Sequence, residues 1–298
     1  MGACQRVCNF DQDEVVTSHP RPTVLTVDAS DRPGLVALLA SAIAEANGNI
    51  VDLGQHTDVD SARFAARIEI APGADLDRLK EQLSSETAVA SFAWALHDPA
   101  HRQRIVVACS RQLHCASDLL ARIDLGELQG EVVGLVSDQL DGEALANRYG
   151  LPFSYVPVGD DREDQEQRFA AAVEAMRPDL VVLARYMRIL PAWLTNKYEH
   201  AMINVHHSFL PAFVGANPYR RAFERGVKMV GATAHYVTAE LDAGPIIAQD
   251  VTRVTHGDTV EDVVRRGADI ERAVFIRAIR LHTEHRIQVF GNKTCIFD

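Results

Sequence analysis

Between Thr23 and Leu96 short β-branched runs alternate with stretches whose apolar residues recur at helical spacing. Thr23 to Val27 is short and β-branched and predicts a strand. Leu35, Leu38, Leu39, Ala42, Ile43 and Ala46 follow at intervals of three and four, which predicts a helix. Asp31 is placed to cap it, Pro33 sits where a missing N–H is harmless, and Gly48 supplies a stop. Asn49 to Thr57 and Arg63 to Ile70 then read as paired strands, Leu76 to Leu83 as a helix and Ser91 to Leu96 as a last strand. The order strand, helix, strand, strand, helix, strand predicts a ferredoxin-like βαββαβ module over residues 21–97, after an N-terminal extension of residues 1–20.

Residues 98–103 are polar, contain Pro99 and read as a linker. Beyond them, short apolar runs alternate with longer helical stretches. Strands are predicted at Arg104 to Cys109, Glu131 to Val136, Ser154 to Val156, Leu180 to Ala184, Met202 to Val205 and Gly231 to Val237. Helices are predicted around Ala116 to Ile123, Gly142 to Tyr149 and Glu163 to Met176. This alternation predicts an open, Rossmann-like α/β sheet over residues 104–298. The loop after its first strand, Ser110 to Cys115, has no glycine, so it lacks the close backbone approach that a dinucleotide pyrophosphate needs.

Composition narrows the classes further. With 298 residues, 47% hydrophobic and 24% charged, the chain has material for two packed domains. A net charge of −11 argues against a broad nucleic-acid surface. Arg6, Asp11, Asp13 and Glu14 interrupt any signal-peptide core, Arg6 stands where an acylation motif needs Ser or Thr, and no run is long enough for a bilayer. Cys4, Cys8, Cys109, Cys115 and Cys295 are odd in number and show no metal-like spacing. The expectation is a cytoplasmic chain with no membrane, metal or nucleic-acid partner.

The most informative stretch runs from Ile203 to Pro211. At strand periodicity Asn204 and His206 share one face, while Val205 and His207 take the other. An amide donor and an imidazole thus stand together at the end of a sheet strand, where such sheets form ligand crevices. A second segment, Glu240-Leu241-Asp242-Ala243-Gly244-Pro245, carries a carboxylate on a shaped turn. Either short motif alone fits a turn or cap as well as a site.

Together they say more. Asn204 to Pro211, Gly215-Ala216-Asn217-Pro218-Tyr219 and Gly231 to Gln249 resemble the folate-dependent formyltransferase family, and within it the deformylase members. Asp31-Arg32-Pro33-Gly34, in the module described first, resembles an ACT domain, and the tail Phe290 to Thr294 extends the likeness over nearly the whole chain. The resemblance implies hydrolysis of 10-formyltetrahydrofolate to tetrahydrofolate and formate, balancing one-carbon folate pools and supplying formate for purine biosynthesis. It implies Asn204, His206 and Asp242 as catalytic residues, with no metal and no cofactor. As negative charge grows on the formyl oxygen, Asn204 and a protonated His206 can donate to it. Asp242 can favour the charged imidazole or accept a proton from water.

Leu183, Tyr186, Met187, Arg188, Ile189 and Leu190 match the segment that wraps the pterin, with Glu240 and Leu241 closing the other side. His235 and Ser208 are expected to support the site, while His207 is expected to be structural, His114 to contact the site or fill space, and Asp58 and Asp60 to lie on an exposed turn. The chain departs from the deformylase pattern at Asn217, where Lys is usual, and at Phe64-Ala65-Ala66, where bulkier residues are usual. Two other readings are a glycinamide ribonucleotide formyltransferase and a non-catalytic amino-acid sensor. The bulky Ser110 to Cys115 loop disfavours the first, since a phosphorylated acceptor wants a glycine-rich cradle. The ACT-like module implies a homo-oligomer, and either an amino-acid effector or a purely assembling role.

Overall fold

The structure is a computed structural model, which describes residues 21–87, 92–212 and 217–298. The expectations for residues 1–20, for Ser91 and for Gly215 and Ala216 lie outside these residues. In the first domain β1 (Thr23–Ser30), α1 (Leu35–Glu45), β2 (Ile50–Asp58), β3 (Arg63–Ile70), α2 (Leu76–Thr87) and β4 (Phe92–His97) follow in the expected order. The sheet runs β2-β3-β1-β4 and is antiparallel throughout. Alternation along β1 buries Leu25, Val27 and Ala29 against Leu35, Leu39 and Ile43 of α1, which together form one core.

Asp31 does not cap α1. The helix starts after Gly34, which takes a left-handed turn at φ 91°, and no side chain caps it. Three residues separate Asp31 from the first helical position, so its backbone N–H donates instead to Ala62 O at 2.8 Å, in the β2–β3 turn.

The second domain comprises β5 (Arg104–Cys109), α3 (His114–Asp124), β6 (Glu131–Ser137), α4 (Glu143–Arg148), β7 (Phe153–Tyr155), α5 (Arg162–Ala175) and β8 (Leu180–Ala184). It continues with α6 (Ala192–Lys197), β9 (Met202–His206), α7 (Pro218–Arg225), β10 (Met229–Tyr236), β11 (Ile246–Arg253), α8 (Val260–Thr283), β12 (Ile287–Phe290) and β13 (Lys293–Ile296). The seven-stranded sheet has the order β11-β10-β9-β8-β5-β6-β7. Strands β5 to β9 are parallel, and β10 and β11 turn it into a mixed sheet by adding antiparallel on the β9 side. Because the chain enters at β5, lays β6 and β7 to one side and then returns with β8 to the other, the order reverses between β5 and β8. That reversal opens the crevice outside their carboxyl ends.

Helix α8 follows a capping box, in which the Thr259 hydroxyl accepts from Asp262 N–H and the Asp262 carboxylate accepts from Thr259 N–H. It buries Val274, Phe275, Ala278 and Ile279 in the main core of the sheet. Beyond it, the β12–β13 hairpin joins the two domains. Arg67 of β3 donates to the Glu284 carbonyl at 3.2 and 3.1 Å, and Gln288 donates to Asp28 at 3.2 Å. Asp60 is ion-paired with Lys293 of the hairpin. His97 of β4 stacks on His285 with ring centroids 3.5 Å apart.

The domain junction makes stability pH-dependent. Burial pushes His285 down to about 3 and His97 and His282 down to about 4, from 6.5. The unfolded chain therefore binds protons below 6.5 that the folded chain refuses, so stability is full above that value and declines as pH falls toward 4. The denaturation midpoint is expected to be lower near pH 5 than near pH 7. Equal midpoints would contradict neutral rings at this junction.

Candidate active site

Asn204 and His206 lie on β9 at the end of the parallel run, and both reach a cavity of about 240 Å³. Antiparallel pairing of β10 with β9 sets His235 opposite Asn204. The His235 ring is fixed by its neighbours. Its Nδ1–H donates to the Tyr236 carbonyl at 2.8 Å, which leaves Nε2 to accept from Asn204 Nδ2 at 3.3 Å. Burial lowers the His235 pKa despite the raising effects of that carbonyl and of Asp242, so the ring stays neutral and keeps its acceptor. One N–H of the Asn204 amide is thereby anchored and the other is left for a ligand.

Asp242 arrives from the loop between β10 and β11, at φ 55° in the left-handed region. The loop is closed by Tyr236 N–H donating to Pro245 O at 2.9 Å. Gly244 passes so near the Tyr236 carbonyl that any Cβ there would overlap its oxygen. This close approach brings Asp242 Oδ2 to 3.3 Å from His206 Nδ1. Asp242 Oδ1 lies 3.8 Å from His235 Nε2, beyond hydrogen-bond reach. Burial alone would raise the Asp242 carboxyl, but the hydrogen bond and charge of His206 outweigh it and hold the group below the usual carboxylate value. His206 Nε2, the other ring nitrogen, is buried and has no partner among the described residues.

The rest of the cavity is an apolar slot. Leu183, Tyr186, Met187, Arg188, Ile189 and Leu190 form one wall, and Glu240 and Leu241 face them. Tyr186 stacks on Phe169 with centroids 4.9 Å apart, and Ser110 Oγ accepts the Met187 N–H at 3.3 Å, so the wall is braced from behind. Met187, Ile189 and Leu241 remain just over half exposed, an apolar surface at the mouth of the slot. Arg188 donates to the buried Asp138 Oδ2 at 2.6 Å, which ties the wall to the end of β6.

A formyl transferase family model matches residues 103–279 and an ACT domain model matches residues 23–87. A formyltetrahydrofolate deformylase of Synechocystis is 43% identical over 281 residues, covering 92% of this chain and 97% of that protein. The crystal structure of a formyltetrahydrofolate deformylase from Pseudomonas syringae superposes with a TM-score of 0.91 at 42% identity, over 95% of this chain and 96% of the other. The chain belongs to the formyltetrahydrofolate deformylase family. Glycinamide ribonucleotide transformylase 1 from Symbiobacterium toebii covers only 68% of this chain, at 35% identity and a TM-score of 0.64. Members of the deformylase family thus match both domains, whereas that transformylase matches about two thirds of the chain.

Ser208 supports the site from outside the cavity, while His207 departs from the strand pattern. Ser208 turns from the cavity, and its hydroxyl donates to Ala212 O at 2.8 Å, while its carbonyl accepts from Thr233 at 2.9 Å. Ser208 thus holds the loop after β9. His207, expected on the opposite face, lines the cavity, because strand alternation ends with β9 at His206. Burial, with the charge of Arg185, pushes the His207 imidazole down to about 3.

Arg185 and Glu271 carried no sequence signal. Arg185 lines the cavity and contacts Glu271, which also meets His114, whose Nε2 is 2.9 Å from Glu271 Oε2. His114, Cys115 and Glu271 have the spacing of a metal set, the one such group among the described residues. Their chemistry is that of an ion pair instead. Arg185 Nε is already 3.4 Å from the same Glu271 oxygen, and burial pushes the Cys115 thiol far up, against the thiolate a metal needs.

Proposed function

We propose that Asn204, His206 and Asp242 carry out the family reaction, hydrolysis of 10-formyltetrahydrofolate to tetrahydrofolate and formate. One observation carries the assignment of roles. His206 has Nδ1 against a carboxylate and Nε2 buried, without a partner among the described residues, in a cavity that Asn204 also lines. Two donors therefore converge where a carbonyl oxygen would gain charge as water adds to the formyl carbon. Asp242 Oδ2 engages His206 and leaves Oδ1 to take the proton of the attacking water. Collapse of the tetrahedral intermediate breaks the bond from carbon to the folate nitrogen, and His206 Nε2 hands that nitrogen a proton. Water supplies the oxygen and no electrons change hands, so the side chains of this chain suffice.

Asn204→Ala and His206→Ala should still bind tetrahydrofolate in calorimetry while formate release falls about 100-fold or more for each lost donor. Folded variants with near-normal turnover would remove these two residues from the chemistry.

The slot between Met187–Leu190 and Glu240–Leu241 fits a flat heterocycle with polar edges, because it offers exposed apolar side chains beside the polar groups of Arg188, Asn204 and Glu240. Arg188, in the wall of that slot, is held in place by Asp138. Asp138→Ala is expected to raise KM for 10-formyltetrahydrofolate roughly tenfold and to change kcat less, since it loosens binding in the ground and transition states alike. A fall in kcat alone would place Asp138 in the chemistry instead. An amino-acid effector and self-association through the ACT domain belong to the same reading and rest on that domain's presence. Formate release of this kind returns free tetrahydrofolate to the one-carbon pool and supplies formate for purine biosynthesis.

A further inference from the structure

Tyr236, the last residue of β10, serves two places at once. Its backbone belongs to the reaction site. The N–H donates to Pro245 O at 2.9 Å and closes the loop that carries Asp242, and the carbonyl accepts the His235 Nδ1–H at 2.8 Å. Its side chain lines a different cavity, of about 330 Å³, between the two domains. Thr26, Asp28 and His97 reach that cavity from the ACT domain and its sheet, and His282 and His285 reach it from the end of α8 and the turn beyond. There the Tyr236 hydroxyl and His282 Nδ1 share a hydrogen bond of 2.8 Å. Burial pushes the Tyr236 phenol up and the His282 imidazole down to about 4, so the bond joins two neutral groups.

The contacts continue without a gap into the ACT domain. His285 N–H donates to the His282 carbonyl at 3.0 Å, the His285 ring stacks on His97, and His97 Nε2 is 2.9 Å from Thr26 Oγ1. Core packing does not call for the hydroxyl at the centre of this line. Tyr236 is 3% exposed and packs in the main core with Val274, Ala278 and Ile279 of α8. A phenylalanine would fill the same ring space and leave no buried hydroxyl to satisfy. What the hydrogen bond adds is position. It ties the end of β10 to α8 at the one residue whose peptide groups hold both His235 and the Asp242 loop. Reacting groups need such support, because a misplacement of about 1 Å can cost on the order of 100-fold in rate.

We propose that Tyr236 and His282 are positioning residues for hydrolysis, and that their hydrogen bond is the contact through which the docked ACT domain holds Asn204 and Asp242 in place. The proposal rests on the hydrolytic reading above, which gives those two residues their roles. Neither Tyr236 nor His282 touches the substrate. Tyr236 acts through the His235 ring that anchors the Asn204 amide and through the loop that brings Asp242 to His206. His97 and His285 extend the same line across the domain junction.

The test uses the full chain with 10-formyltetrahydrofolate, reading kcat and KM from formate release and folding from thermal unfolding. Tyr236→Phe is expected to lower kcat roughly tenfold with KM within about twofold of wild type, since the pterin slot is untouched. His282→Ala should show the same loss, and His282→Asn, whose amide can stand near the place of Nδ1, should recover most of it. His97→Ala, at the far end of the line, is expected to lower kcat roughly two- to threefold. The double variant His97→Ala with Tyr236→Phe should match Tyr236→Phe alone, because both act through one contact. If His282→Ala does not fold, Tyr236→Phe, which keeps the ring, decides the matter. A folded Tyr236→Phe with the kcat of wild type overturns the proposal, even where its unfolding temperature falls. Losses that multiply in the double variant also overturn it, since the ACT domain would then act by another route. Absence of formate from wild type is a different result, which removes the hydrolytic reading itself.

Discussion

Asp242→Asn is expected to lower formate release about 100-fold or more while tetrahydrofolate binding survives. The substitution keeps the size of the side chain, and Asn tolerates the left-handed backbone that Asp242 adopts at φ 55°. The loop therefore keeps its course, and what is lost is charge. His206 Nδ1, 3.3 Å from Oδ2, loses its anionic acceptor, and the attacking water loses the oxygen that would take its proton. The carboxyl is held below its ordinary value of 3.8, so it is ionised across the neutral range and protonates only as pH falls through that lowered value. The deficit of the variant should accordingly be flat between about pH 6 and 8. Anaerobic steady-state kinetics with calorimetric binding checks both statements. Turnover close to wild type in a variant that binds tetrahydrofolate would mean that Asp242 is not the base.

Gly244→Ala is the second substitution expected to have a large effect, although its side chain reaches nothing in the cavity. A Cβ at Gly244 would overlap the Tyr236 carbonyl oxygen and lie 3.0 Å from its carbon, and both are backbone atoms with little room to yield. The same carbonyl accepts the His235 Nδ1–H, and His235 in turn anchors Asn204. The strain must therefore displace the loop that carries Asp242, the carbonyl that orients His235, or both. A misplacement of about 1 Å can cost on the order of 100-fold in rate, and overpacking of this kind typically costs about 1–3 kcal/mol of stability. Kinetics and thermal unfolding should show both losses. Gly159→Ala, where an added Cβ meets open space, is the matched control and should show neither. A fully active Gly244→Ala would mean that the Asp242 loop is not positioned through this contact.

The two domains were legible because their patterns depend on local spacing. Leu25, Val27 and Ala29 alternate, Leu35, Leu39 and Ile43 repeat on a helix, and the buried Leu180–Ala184 run of β8 is continuous, as a parallel strand covered on both faces requires. The quoted motifs around Asn204, His206 and Asp242 likewise pointed to residues that the fold brings into one cavity. Other features needed the third dimension. Helix α8 had a readable signal in Thr259 and Asp262 and in the spacing of Val274, Ala278 and Leu281, yet its partners on β9, β10 and α3 are distant in the chain. Asp31 read as a cap because the local residue types suit one, but the left-handed Gly34 starts the helix later. Glu271 looked like an ordinary helix carboxylate, and only packing shows that His114 and Arg185 enclose it. Such pairings leave no trace in local spacing, because each partner obeys its own element's pattern.

The most direct test of the hydrolytic account is a single turnover with 10-formyltetrahydrofolate in water enriched in oxygen-18, without any amine. The expected product is formate that carries one solvent oxygen, released with tetrahydrofolate in equal amounts and about 100-fold more slowly in Asp242→Asn. Formate without solvent oxygen, or no formate until an amine is added, would contradict it.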